Sequence, residues 1–379
     1  MKYYIIAGEA SGDLHAANLI KEIKILDSAA EIRGFGGDKM MEQGAELVMH
    51  YRDLDFMGFV EVIGNLKTVL KSIRICKNDI NTVKPDAVIL VDYPGFNLRI
   101  AAYVAKLKIP VFYYVSPQIW AWKQGRIRKI KKYVDTMLVI LPFEKEFYSK
   151  FNYQVNYIGH PLLDAFENLN LPDRNTLIEK HNLSHRKEII ALLPGSRKQE
   201  IARILPEMLS VVAEFPNYQF VIAATNAINE KFYEKLIKNY PVSILFNQTY
   251  ALLKHTKAAL VASGTATLET ALFNIPQVVC YSANALSYFI AKKIVKVKYI
   301  SLVNLIMNKP VITELIQYNL NTKNLKDELL NITENRKKTE LLLENYVEVK
   351  RMLGGKGASA RAARIIINSI RESTDVEQV

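Results

Sequence analysis

The sequence predicts an α/β protein of two doubly wound, Rossmann-like domains, and three observations predict it. Short apolar, β-rich runs alternate with helical spacing along most of the 379 residues. Those runs are apolar almost continuously, the pattern of strands covered by helices on both faces of a parallel sheet. The series also restarts: "NLNLPDRN" breaks the periodicity within residues 161–186, and a second βα series follows.

In chain order, the first-half strand runs are residues 3–7, 31–35, 87–91, 111–115, 137–141 and 155–158. The second-half runs are residues 189–193, 219–223, 243–246, 258–262 and 277–280. Each is rich in Val, Ile, Leu or aromatic residues and bounded by turn formers. Residues 325–352 then read as one long helix, Gly354, Gly355 and Gly357 interrupt it, and residues 359–370 resume with Ala and Ile on one face. The expected domains are residues 1–165 and 187–345, with helices over 346–379 packing back on the N-terminal domain. The tail after Glu372 is expected to fray.

Half of the residues are hydrophobic and 23% are charged, a globular balance that excludes a disordered chain. Cys76 and Cys280 lie far apart, which argues against a disulfide framework and for a reducing cytoplasm. No run approaches the ~20 apolar residues of a spanning helix, so a soluble or peripheral protein is expected. The net charge of +12 suits an acidic partner such as nucleic acid, a phosphorylated substrate or an anionic membrane. A lysine-rich solvated surface explains that charge equally well.

Ligands of open parallel sheets collect at the carboxyl ends of the strands, and five loops there carry polar chemistry. They are "GEASGD" (8–13), "VDYPGFN" (91–97), "YVSPQIWAWKQGRIRK" (114–129), "LPGSRKQEI" (193–201) and "ASGTATLE" (262–269). In the last, Ser263, Gly264 and Thr265 form a turn that opens a helix, a phosphate-binding form. "PGSR" has the same form, with Ser196 and an Arg197 guanidinium ready for phosphate. Neither loop matches the lysine P-loop or the GxGxxG fingerprint. Asp92 ends an apolar strand, where a half-buried carboxylate suits a general base. It equally suits the cap of a helix beginning near Phe96, and local sequence favours the cap. Asp13 reads as an N-cap too. Trp120 and Trp122, beside Lys123, Arg126, Arg128 and Lys129, fit a nucleic-acid platform, a sugar site or a packed core with a solvated face. No His or Cys pair has metal-ligand spacing, so no metal or other cofactor is expected.

Taken together, "AGEASGD", "FMGFVEVIG", "DYPGFN", "YYVSPQIWAW", "LPFEKEFY", "LPGSRKQEI", "ASGTATLE" and "SLVNLI" resemble the lipid-A-disaccharide synthases, inverting glycosyltransferases. The resemblance spans nearly the whole chain. It implies a GT-B fold, two Rossmann-like domains facing across a cleft. It also implies a UDP-2,3-diacylglucosamine donor on the C-terminal domain and a 2,3-diacylglucosamine 1-phosphate (lipid X) acceptor on the N-terminal one. On that footing Asp92 is the base, and Arg197, Ser196, Ser263, Gly264 and Thr265 meet the diphosphate. Glu269 is placed at the ribose and Asn304 at the nucleotide. Gly8, Glu9, Ser11, Gly12, Asn97, Trp120, Lys123 and Arg126 are expected at the substrate.

Lipid substrates also give a use to the broad apolar stripe of residues 56–73. Phe59, Val62, Ile63, Leu66, Val69 and Leu70, flanked by Lys67, Lys71 and Arg74, are expected to meet acyl chains or an anionic inner-membrane surface. A core helix is the competing reading. The implied location is the cytoplasmic face of the inner membrane, and a homodimer is compatible with it. The rival readings are a UDP-N-acetylglucosamine 2-epimerase, a lipid II glycosyltransferase and a basic nucleic-acid-binding protein. The last leaves Asp92 and "SGTATLE" without a task, so no nucleic-acid partner is expected.

Overall fold

The computed structural model describes residues 1–53, 66–166, 169–284, 288–289, 295 and 297–376. The chain divides into two compact units, one of Met1–Leu169 with Leu353–Val379, the other of Asn170–Met352. The helix Arg336–Met352 runs unbroken through position 346, so the return to the first unit comes at Leu353.

The first unit holds strands β1 (Lys2–Ala7), β2 (Glu31–Gly36), β3 (Glu46–His50), β4 (Ala87–Val91), β5 (Val111–Tyr114), β6 (Thr136–Val139) and β7 (Asn156–Tyr157). They lie in the order β3-β2-β1-β4-β5-β6-β7, and every pairing is parallel. The second unit holds β8 (Glu188–Leu193), β9 (Tyr218–Ala224), β10 (Val242–Phe246), β11 (Thr256–Ala262), β12 (Gln277–Tyr281) and β13 (Thr313–Ile316). Their order is β10-β9-β8-β11-β12-β13, again parallel throughout. In each sheet the order reverses at the centre, between β1 and β4 and between β8 and β11. Those are the switch points where doubly wound sheets open for ligands.

The buried strands β1, β4, β5, β8 and β11 carry long apolar runs, and their side chains form the cores on both sheet faces. β3 and β13 escape the sequence pattern because each is an edge strand, half-buried and polar in part. The long helix expected over 325–352 is two helices, Thr322–Thr333 and Arg336–Met352. Asn335 breaks it: its side chain accepts the Lys338 N–H at 3.1 Å and so starts the second helix as a cap.

The last helix, Ala358–Val376, packs along the first, Ala10–Leu26. Asp164 caps it, accepting the N–H groups of Gly357 at 2.6 Å and Ser359 at 2.8 Å. Beneath it lie the buried imidazoles of His15 and His160, edge to face with ring centres 6.3 Å apart. Burial holds His15 down at about 4 and His160 at about 3, the latter helped by His15, so both are neutral.

The helix Leu66–Val83 shows why the apolar stripe is so wide. Val69 and Ile73 are buried in the core with Cys76 and Ile80, whereas Leu70 is 56% exposed beside exposed Lys71 and Arg74. Val69 is therefore a core residue, not an acyl contact. Phe59, Val62 and Ile63 lie outside the described residues, and so does the Leu66 side chain. Among the described residues no helix is long and apolar enough to cross a membrane.

Candidate functional site

In the first unit the site is built where β4 ends. Asp92 and Tyr93 both take left-handed backbone conformations, at φ 42° and 47°, and the helix Pro94–Val104 starts at once. Such angles cost non-glycine residues roughly 1 kcal/mol or more each, so something must hold the turn. Asn97 does so, its side-chain N–H groups donating to the carbonyls of Val91 (3.1 Å) and Asp92 (2.8 Å). The Tyr113 hydroxyl donates to the Asp92 carbonyl as well. Asn97 is wholly buried, so it braces the turn and does not face a substrate as expected. Gly8 is required here, because a Cβ on it would lie 2.3 Å from the Tyr93 ring.

This turn leaves the Asp92 side chain out of the capping role: Tyr93 is the N-cap residue, and no side chain caps that helix. The Asp92 carboxyl is half-buried and pushed up to about 7. Burial is the main cause, the neighbouring Glu9 carboxylate the next, and Glu144 adds to it; the Tyr93 N–H and Arg126 act in the opposite sense. A carboxyl that gives up its proton near neutral pH is matched to accepting one from a hydroxyl.

The first loop divides its residues between tasks. Glu9 and Ser11 are exposed at the start of the first helix. Gly12 turns inward, where a Cβ would make ordinary contact with Ala7 and Val91, so it faces the sheet and not a ligand. Asp13 is buried and caps, but not its own helix. Its carboxylate accepts the N–H groups of Gly37 (2.8 Å), Lys39 (3.1 Å) and Met40 (3.1 Å), at the start of the short helix Asp38–Glu42.

After β5, the segment 115–126 comes back beside Asp92. Trp120 is only 6% exposed, edge-on to Phe143, and its indole N–H donates to the Glu144 carboxylate at 3.2 Å. Of the three readings the sequence left open, the packed-core one holds for Trp120: it is an anchor, not the substrate contact the resemblance implied. The Lys123 ammonium lies over the Trp122 ring at 4.2 Å. Arg126, half-buried, faces Asp92, and burial lowers its guanidinium from the ordinary value. Glu144 stood inside a family motif without a role; only its burial beside Trp120 reveals one.

The second unit carries a matching set. In the loop after β8, Gly195 has φ +109°, and a Cβ there would collide with the Glu200 carboxylate. Glu200 folds back to accept the Ser196 N–H at 3.3 Å. That fixes a turn with Ser196 and Arg197 exposed at the start of the helix Lys198–Leu209. After β11, Ser263 donates to the Ile300 carbonyl at 3.0 Å, and Gly264 and Thr265 open the helix Thr265–Leu272. Nothing lies within 4 Å of a Cβ on Gly264, so this helix end is open. Glu269, one turn on, accepts the Tyr250 hydroxyl at 2.8 Å and is raised above the usual carboxylate range by burial.

Asn304 departs from expectation. Its side-chain N–H groups donate to the Ile312 carbonyl and Glu314, each at 2.9 Å; its oxygen accepts the N–H groups of Val311 (2.8 Å) and Ile312 (2.9 Å). A primary amide has no capacity beyond these four bonds. Asn304 therefore braces the segment that Ser263 holds, together with Glu314, which also accepts from Ser301. Glu314 lies on β13, a strand without a strong sequence signal.

With this geometry in hand, the comparisons with known proteins are decisive. A family model described as lipid-A-disaccharide synthetase matches residues 3–366. The chain belongs to that family. A lipid-A-disaccharide synthase of Syntrophus aciditrophicus is 38% identical over 376 residues, covering 97% of this chain and 98% of the relative. The protein is thus a glycosyltransferase of lipid A disaccharide formation. Among solved structures, a kitacinnamycin glycosyltransferase aligns with TM-score 0.66 at 12% identity, covering 97% of this chain and 99% of that one. A UDP-GlcNAc 2-epimerase of Neisseria meningitidis bound to UDP-GlcNAc aligns with TM-score 0.68 at 14% identity, covering 98% and 100%. Those two speak for the fold alone, a pair of Rossmann-like domains of the GT-B class.

Proposed function

We propose that the chain joins UDP-2,3-diacylglucosamine to the 6-hydroxyl of 2,3-diacylglucosamine 1-phosphate, with Asp92 as general base. The observation that carries this reading is the Asp92 carboxyl at the β4 switch point, pushed up to about 7 and uncommitted to helix capping. In the reaction the acceptor oxygen forms a bond to the donor's anomeric carbon from the face opposite UDP. The carbon–oxygen bond to the β-phosphate breaks, its electron pair leaves with UDP, and the hydroxyl proton passes to Asp92. One displacement gives inversion. Charge grows on the departing diphosphate, and the exposed Arg197 and the open helix start at Gly264–Thr265 suit its stabilisation. Glu269 is suited to the ribose hydroxyls. Glu9, Ser11, Lys123 and Arg126 surround the acceptor, the two cations offering charge to its 1-phosphate.

The acyl chains need an apolar surface, and exposed Leu70 with Lys71 and Arg74 on the helix Leu66–Val83 supports contact with an anionic membrane. Such contact would hold the enzyme on the cytoplasmic side of the inner membrane. Incubation with both defined substrates, followed by mass spectrometry, tests the reading. The expected product is the acylated disaccharide 1-phosphate, with one UDP released per coupling. UDP release without disaccharide would overturn it.

A further inference from the structure

We propose that Glu144 is a positioning residue for the reaction: its buried carboxyl pins the segment carrying Arg126 beside Asp92. This rests on reading Asp92 as the base.

Glu144 lies in the first turn of the helix Pro142–Ser149 and is 1% exposed. One carboxylate oxygen accepts the N–H groups of Ile140 (3.1 Å) and Leu141 (2.9 Å), as a helix-start glutamate does. An exposed side chain would serve that purpose without the cost of desolvation. The other oxygen takes the Trp120 indole N–H at 3.2 Å, with the Ser116 hydroxyl nearby. Ser116 in turn shares a hydrogen bond with the buried Tyr148 hydroxyl at 2.7 Å. Glu144 thus ties two loops together, the one after β5 and the one after β6. Trp120 stands six residues before Arg126, so fixing the indole limits where the guanidinium sits. Val115, which starts the segment, has φ 64°, a strained angle for a β-branched residue that must be held from outside.

The charged and titratable groups facing Asp92 are Glu9 from the loop after β1, Glu144, Arg126 and Tyr113 from β5. Those facing Glu144 are Asp92, Tyr148 and Tyr157. Burial raises Glu144 to about 7, and its negative form pushes Asp92 upward. Removing that charge must let Asp92 release its proton at lower pH.

The test is Glu144→Gln in the full chain, with a melting curve to establish folding. The amide sets a donor against the Trp120 donor, so kcat should fall on the order of tenfold to a hundredfold through misplacement. The KM for the donor should hold, because the groups assigned to it belong to the other unit. The acidic limb of the kcat/KM profile should move to lower pH, since the lost Glu144 charge outweighs the opposing effect of a displaced Arg126. A purely structural residue would not move that limb, and an unmoved limb in the folded variant overturns the proposal. If the variant does not fold, Trp120→Phe replaces it. Without the indole donor Glu144 stays protonated to higher pH, which shifts the limb the same way; an unchanged limb again overturns the proposal. Failure of the base reading is distinguishable, since Asp92→Asn would then keep its turnover. In that event carbon NMR titration of the Asp92 carboxyl in Glu144→Gln decides whether the two groups are linked.

Discussion

Asp92 draws its chemistry from where the chain places it, because the same side chain in water would be fully ionised at pH 5. Raised to about 7, it is largely protonated below that pH and cannot accept a proton. The kcat/KM profile should therefore lose activity as pH falls through about 7, and not through the 3.8 of an ordinary aspartate. A plateau extending down to pH 5 would contradict this. Asp92→Asn keeps the shape and removes the basicity, so turnover should drop by about 10²–10⁴-fold with the fold intact. Steady-state rates and a melting curve on the same preparation check it. At this scale the sequence shows which groups have the capacity for chemistry but not where that capacity is spent. Asp13 was legible as a cap, yet its three donors come from residues 37–40. Asn97 and Asn304 look like ligand contacts until their amides are found bonded to their own backbone neighbours. Glu144 has local bonds that follow from its helix-start position, but its Trp120 partner stands 24 residues away, beyond any local pattern.

Elements with a continuous apolar run were legible almost to the residue, and β4 at Ala87–Val91 is a case of full agreement. The edge strands β3 and β13 were not, because one open side removes the need for apolar residues, although the edges β7 and β10 kept enough of the pattern to be read. The stripe over residues 56–73 was legible only as an apolar face, because helical spacing does not show whether protein covers it. Val69 and Leu70 separate the two situations. Val69→Ala should cost on the order of 1–3 kcal/mol through a core cavity, while Leu70→Ser should stay within about 0.5 kcal/mol. Denaturant melts of both variants decide it, and equal losses would place both side chains in one environment. A second element-level test concerns the imidazoles under the last helix. In the unfolded chain His15 takes a proton near 6.5, in the folded one at about 4, so stability falls as pH drops across that window. The penalty at pH 5 is on the order of 2 kcal/mol for such a shift. His15→Gln should therefore lose less melting temperature between pH 7 and pH 5 than the parent, and an identical loss would show that this imidazole is already solvated.

At the level of the whole molecule, the proposed assignment of base and diphosphate contacts to different sheets makes separable predictions. Arg197→Ala should weaken UDP binding on the order of ten- to a hundredfold, the worth of a charge-assisted phosphate contact. Asp92→Asn should leave UDP affinity unchanged. Calorimetry with UDP on both variants checks the pair, and a reversed pattern would exchange the roles of the two units. Fold class and the strand-end position of the five polar loops were legible because loops at the carboxyl ends of parallel strands follow directly from the alternation of strands and helices. One more consequence comes from the first unit being discontinuous in sequence. A nascent chain leaves the ribosome with its N-terminal sheet complete but the flank of the helix Ala10–Leu26 bare. Ala363, Ile366, Ile367 and Ile370, which are buried in the finished molecule, are translated only after the whole second unit. The second unit is continuous and has everything it needs to fold beforehand. Premature termination near residue 352 would thus leave the second unit folded and the first half-covered, with its apolar flank open to chaperones and proteases.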